Sequence, residues 1–345
     1  MQFNDTFLKA CRNQPTDYTP IWIMRQAGRY QPEYRKVREK YSLVEICHHP
    51  DVCAEVTILP VQQLNVDAAI LFSDIMIPLA PMGVDFEIKE GIGPVIANPI
   101  KSSEDVDRIR EIDLSQLGFV SETVGILKRE LKVPLIGFSG APFTLASYLL
   151  EGGPSKTFIK TKTFMYTHPE SWGILMRKLV DGMFLYMKLQ VEKGAAALQV
   201  FDSWVGNLTP DDYRQYIQPH MKRLFESLKT LNVPVIHFGF SASHLLELIQ
   251  ESGGDVIGID WKTNIAHAKA RLGNKVALQG ALDPVALFAP LNVLEQKVRL
   301  LMDSIPQQGH VFNLGHGILP QSNVAQVQKL VEIVHSHKRP VLLNA

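Results

Sequence analysis

The chain has 345 residues, 46% of them hydrophobic, enough to bury the core of one large α/β domain or two ordinary ones. Its 35 Lys and Arg balance 35 Asp and Glu, so the net charge is zero. That argues against nucleic acid, whose binding proteins carry a basic footprint, and leaves anion sites to local clustering. Cys11, Cys47 and Cys53 form no CxxC pair, which points to a reducing cytoplasm. The N-terminal MQFNDTFLKACRNQ lacks the apolar core of a signal peptide, and no apolar run reaches the ~18 residues of a membrane helix, so a soluble, unprocessed protein is expected.

In chain order, short apolar runs of strand character alternate with longer helical patterns. The runs are 21–24, 68–72, 135–138, 197–201, 235–238, 256–259, 276–278 and 311–314. About eight β/α units predict one domain over residues 1–345, a (β/α)8 TIM-type barrel. Residues 84–89 and 94–96, straddling Glu90–Gly93, predict a β-hairpin inserted after the second strand. Ser102, Ser103 and Glu104 suit a helix start, as do Thr209 with Pro210, and Asp283 with Pro284.

A polar residue or glycine ends almost every run, and barrels place their chemistry at the carboxyl ends of their strands. The first run leads into RQAGRYQPEYRKVR, rich in guanidinium forks that match carboxylates or phosphates. Gly28 lets the backbone approach a ligand or take a positive φ, and Pro32 suits the first turn of the following helix. Arg35 and Lys36 read as a solvated helix face, whereas Arg25 and Arg29 follow directly on a buried strand. Asp74 ends AAILFSD at the edge of an apolar interior, where an ionised carboxylate is costly without a partner; a ligand N–H, a helix cap and a salt bridge to Arg25 or Arg29 all remain open. SGAPFT at 139–144 offers a strand-to-helix turn that could bind an anion. Tyr148, four residues past Thr144, either reaches the mouth or is a core residue. Phe201, Asp202, Ser203 and Trp204 could line a flat ligand. His316, between glycines, could donate to a carboxylate or shuttle a proton. His48 and His49 make no zinc spacing with Cys47 or Cys53, and His237-Phe238-Gly239 lacks the thiolate of an H-x-C site, so no metal is expected.

Together, PIWIMRQAGRYQPEYR (20–35), FSD (72–74), GFSGAPFTLASYLLEG (137–152), FDSW (201–204) and NLGHG (313–317) resemble the uroporphyrinogen decarboxylase family. The blocks run in order across almost the whole chain. The resemblance implies a homodimeric barrel with a deep cleft, working without metal or organic cofactor on uroporphyrinogen. It further implies that Arg25, Arg29 and Arg38 bind substrate carboxylates. In the same reading Gln26, Ala27 and Gly28 form a substrate-contact loop, Asp74 accepts the pyrrole N–H groups, Tyr148, Ser203 and His316 bind substrate, and Phe201 packs on the ring. Asp74 and Arg25 are the expected catalytic residues. A guanidinium with a pKa above ~12 donates protons poorly, so Arg25 acts as general acid only if its pKa is lowered; water held by Arg25 or His316 is the alternative. Two rivals on the same fold are a zinc-dependent methyltransferase, disfavoured by glycine at 239, and a non-catalytic tetrapyrrole-binding protein.

Overall fold

The computed structural model describes residues 3–337; residues 1–2 and 338–345, the ends of the expected domain, lie outside the described residues. Nine strands are formed among the described residues: β1 (Ala69–Ile70), β2 (Phe86–Lys89), β3 (Gly93–Ile96), β4 (Leu135–Gly140), β5 (Ala197–Asp202), β6 (Val235–Gly239), β7 (Val256–Gly258), β8 (Ala277–Gln279) and β9 (His310–Val311). β2 and β3 are the expected antiparallel hairpin, with Phe86 opposite Ile96. The other seven form a parallel sheet in the order β1-β4-β5-β6-β7-β8-β9. Helices pack around its outer side, as a sheet buried on both faces requires.

The eighth stave is the run at 21–24, which closes the barrel with little ladder of its own. Ile21 makes one parallel bridge to Phe312, and its carbonyl accepts the Asp67 N–H at 2.8 Å. Side chains supply most of the remaining closure. Asn313 Oδ1 accepts the Met24 N–H at 2.9 Å, and buried Gln26 Nε2 donates to the Ala68 carbonyl at 3.1 Å. Asp67 is the clasp at this seam: its carboxylate accepts the Ile21 N–H (2.8 Å), the Tyr18 hydroxyl (2.6 Å) and Asn4 Nδ2 (3.0 Å), and contacts His335 Nε2 at 2.8 Å. The expected strand at 311–314 is likewise shorter than its apolar run, because Leu314 pairs separately with Leu282.

Strand alternation divides the core. Trp22, Met24, Ala68, Ile136, Ala197, Ile236, Val256, Ala277 and Val311 form one buried cluster filling the barrel, joined by Phe7, Ala10 and Cys11 of helix Thr6–Cys11. Above them Trp22 Nε1 donates to Gln279 Oε1 (2.8 Å), and Gln279 Nε2 to Gln199 Oε1 (3.0 Å). The larger cluster, with Trp172, Tyr186, Phe143 and Tyr213, lies between sheet and helices.

Caps at Thr209 and Asp283 form as the sequence predicts, accepting the Asp212 N–H at 3.1 Å and the Val285 N–H at 2.9 Å. The start expected at Ser102–Glu104 differs. Asp105 instead accepts the N–H groups of Lys101 and Ser102, and the chain makes short 3-10 turns before the helix Gly118–Glu130.

Candidate active site

The first stave ends in a turn at which Arg25 adopts φ +62°, a left-handed conformation uncommon for a side chain this long. Of the two roles the sequence offers Gly28, close approach to a ligand or a positive φ, the second is not used, since its φ is negative; a Cβ there would come 3.1 Å from the Arg25 carbonyl oxygen. The turn is held from the last stave, where the Ile318 N–H donates to the Met24 carbonyl at 2.9 Å. The exposed Arg25 side chain then passes over Gly317, where a Cβ would lie 2.4 Å from its Cδ.

Gln26 does not offer its side chain to a ligand: the amide is fully buried in barrel closure, and its backbone carbonyl accepts the Tyr30 hydroxyl at 2.7 Å. Ala27 packs beside the cluster of Tyr34, Ile46, Cys53 and Val56. The Gly28 N–H donates to Gln31 Oε1 at 3.1 Å. These contacts fix the loop, and with it the arginines on either side. Arg35 is exposed, as the solvated reading has it, yet it also ties the loop by donating to the Arg29 carbonyl at 2.9 Å.

Arg29 is exposed, and Arg38 lies half-buried with its guanidinium donating to the Tyr41 carbonyl (3.2 Å) and the Tyr34 hydroxyl (3.4 Å). Both act electrostatically on Tyr34, whose ring leans on Phe72 at 5.6 Å, two residues before Asp74. Arg25, Arg29 and Arg38 form no ion pair with a carboxylate among the described residues. Cations left without a partner around one corner of a barrel mouth are what a multiply anionic ligand needs.

Asp74 keeps an edge toward the mouth and is otherwise enclosed by protein. Burial raises its carboxyl above the usual range, opposed by the Met76 N–H, which donates to Oδ1 at 2.9 Å, and by the charge of Arg25. One oxygen thus serves as a turn cap, and the second accepts no hydrogen bond among the described residues. Tyr148 stacks on Trp204 at 4.1 Å, with Phe158 against the other ring at 5.0 Å. Its phenol is pushed up to about 12, first by burial and then by Asp74, so it remains a neutral donor beside the carboxylate. Ser203 is half-buried, and its hydroxyl engages no other group among the described residues. Phe201 projects into the barrel between Phe138 (5.4 Å) and Phe238 (6.0 Å).

His316 stands edge-on to Phe240 at 4.9 Å. Burial, followed by the charge of Arg25, lowers its pKa to about 4, so near neutrality the imidazole is uncharged and is not a ready proton donor. Arg25 is the common neighbour, exerting its charge on Asp74, Tyr148 and His316 alike.

Two sequence expectations fail here. Asp202 faces away from the mouth, fully buried, with the Thr144 hydroxyl donating to Oδ1 at 3.1 Å and His237 Nε2 3.9 Å from Oδ2. The period of two along β5 dictates this once Phe201 points inward. The turn at 139–144 is buried too; its Ala141 N–H goes to the Phe201 carbonyl at 2.8 Å, leaving no open anion site. His237 lies on the same outward face, against Phe225 at 4.7 Å. Among the described residues no three of His, Cys, Asp and Glu converge on a metal position. Gly317 is the residue that sequence reading missed; the repeated glycines of NLGHG were its only signal.

A parallel barrel with a charged mouth at its strand ends is the architecture of (β/α)8-barrel enzymes that act on small molecules, and the comparisons place the chain among them. The chain belongs to the uroporphyrinogen decarboxylase family, whose model, described as "Uroporphyrinogen decarboxylase (URO-D)", matches residues 2–337. It is 54% identical over 339 residues to a uroporphyrinogen decarboxylase of Geobacillus sp. (strain WCH70), covering 97% of this chain and 98% of that one. The corresponding protein of Bacillus subtilis (strain 168) is 53% identical over 340 residues, with 98% and 96% covered. In fold it is similar to a methyltransferase from Methanosarcina mazei, TM-score 0.77 and 17% identical over 96% of this chain and 98% of the other. A B12-independent methionine synthase from Shewanella sp. W3-18-1 gives a TM-score of 0.58 at 12% identity, covering 86% of this chain and 90% of the other. At such identities the likeness concerns the fold alone.

Proposed function

We propose that the mouth described above carries out the family's reaction. The enzyme is a uroporphyrinogen decarboxylase, removing CO2 from the four acetate side chains of uroporphyrinogen III to give coproporphyrinogen III in porphyrin biosynthesis. The carrying observation is identity above 50% along nearly the full length of such enzymes.

In this reading the second oxygen of Asp74 accepts the pyrrole N–H groups, and Arg25, Arg29 and Arg38 hold peripheral carboxylates. A proton added to the pyrrole α-carbon next to the one that bears the acetate arm makes the ring cationic and conjugates the positive nitrogen to that arm. The enclosed Asp74 carboxylate stabilises that charge where water would screen it. The acetate C–C bond then breaks, CO2 leaves, and the electron pair flows into the ring, forming an exocyclic methylene. A second proton converts the methylene to methyl, and the ring proton is lost. Each turn thus consumes one proton and releases one CO2, with the substrate's pyrrole as electron sink. Because His316 is neutral, the proton comes from water held by Arg25, with the imidazole and the Tyr148 phenol orienting carboxylates. Phe201 and Ser203 seat the macrocycle.

Three further readings accompany this one. Residues 1–345 act as one domain. The protein is a homodimer, as the family resemblance implies, which light scattering would test. It works in the cytoplasm; Cys11, Cys47 and Cys53 are buried free thiols, and no described helix is long and apolar enough to cross a membrane.

The deciding experiment is anaerobic incubation of chelator-treated protein with uroporphyrinogen III, followed by oxidation and chromatographic counting of carboxylates. A shift from eight towards four without added cofactor is expected. Retention of eight, with the porphyrinogen still bound, would instead support a binding protein.

A further inference from the structure

Every arginine assigned above to a substrate carboxylate lies on one side of the mouth, on or beyond the first stave and beside the second. In a ring of eight staves the sixth, β7, stands opposite the second, and a macrocycle centred on Asp74 presents carboxylates there too. We infer that Lys262, just beyond the end of β7, is a binding residue for a peripheral carboxylate of the substrate on that far side. This rests on the decarboxylase reading.

Lys262 is placed by its surroundings rather than left to wander. Its ammonium lies 5.0 Å from the centre of the Phe240 ring and 5.8 Å from that of Trp261, and it donates to Ser241 Oγ at 3.0 Å. Asp260, 1% exposed, fixes the backbone on both sides by accepting the N–H groups of Ser241 and, at 2.8 Å, Lys262. Ser241 is thereby held at φ +54°. Phe240 connects this cation to the known part of the site, since its ring also meets His316 at 4.9 Å. Gly315 seats the last stave directly on this corner, where a Cβ would lie 2.3 Å from the Trp261 nitrogen. Yet Lys262 is exposed and pairs with no carboxylate among the described residues. An ammonium oriented by two aromatic faces, still free to accept an anion, is arranged for a ligand carboxylate.

The test compares wild type, Lys262→Met, Lys262→Gln and Lys262→Arg in anaerobic initial-rate assays with uroporphyrinogen III, using coproporphyrinogen III as a competitive inhibitor. The expected result is a KM about 3- to 5-fold higher in the Met and Gln variants, the scale of one exposed charge pair, with kcat within about 2-fold and KM restored by Arg. A matching rise in the Ki for coproporphyrinogen would identify the carboxylate as a propionate; an unchanged Ki would identify an acetate. An unaltered KM in the Met and Gln variants, or a fall in kcat alone, would overturn the assignment. Inactive wild-type protein would overturn the decarboxylase reading, and this proposal with it.

Discussion

Gly317→Ala separates the placement of Arg25 from the stability of the barrel. Gly317 has a negative φ, so alanine brings no backbone strain and removes some freedom from the unfolded chain, a gain of about 0.4–1 kcal/mol. The added methyl would sit 2.4 Å from Arg25 Cδ, 2.9 Å from Cγ and 3.0 Å from Nε. Carbon atoms pack at roughly 3.5 Å or more, so the side chain must shift by about 1 Å. A displacement of that size in a positioning group can lower kcat/KM by about 10²-fold. The assay is kcat/KM for uroporphyrinogen III alongside a thermal melt. The expected outcome is a loss of roughly 10- to 100-fold with a melting temperature at or above that of wild type. Wild-type kcat/KM in this variant would refute the idea that the path of Arg25 over Gly317 matters.

Gly315→Ala is the contrasting case. Its methyl would meet backbone, 2.3 Å from the Trp261 nitrogen and 2.9 Å from the Asp260 carbonyl carbon, so a stability loss of about 1–3 kcal/mol is expected in a denaturant titration. Asp67→Asn turns one acceptor of the closing clasp into a donor facing donors, at a cost of about 2–4 kcal/mol by the same titration; unchanged stability would remove Asp67 from barrel closure. His316 and His220 both have pKa values lowered from 6.5 to about 4, chiefly by burial, so the folded state favours their neutral forms. Their contribution is complete above pH 6.5 and lost as pH falls towards 4; glutamine at either position should flatten the decline of melting temperature across that window.

Much of the fold was legible because buried parallel strands are written as apolar runs, and most of those runs end at the residues that line the mouth. The seam was not: a single Ile21–Phe312 bridge reinforced by Asn313, Gln26 and Asp67 depends on side chains distant in sequence. The arginine block and Asp74 were readable as charges set beside apolar strands. The outward turn of Asp202 was also readable, by counting alternate residues from Phe201. A left-handed turn reads most naturally at a glycine, yet Arg25 adopts it, with Met24 before it held by Asn313 and Ile318 and Gln26 after it anchored to Ala68. The low pKa of His316 depends on how deeply the mouth encloses it, which no local pattern encodes.

Asp74→Asn tests the central carboxylate most directly. Because burial raises the Asp74 pKa, its stabilising contribution is complete below the unfolded value and lost as pH rises through the folded one. At neutral pH the neutral amide should therefore melt no lower than wild type. Under anaerobic turnover with uroporphyrinogen III, the count of carboxylates per porphyrin should stay near eight, with decarboxylation slowed by at least roughly 10²- to 10³-fold. A folded variant that reaches four carboxylates at the wild-type rate would contradict a catalytic role for Asp74.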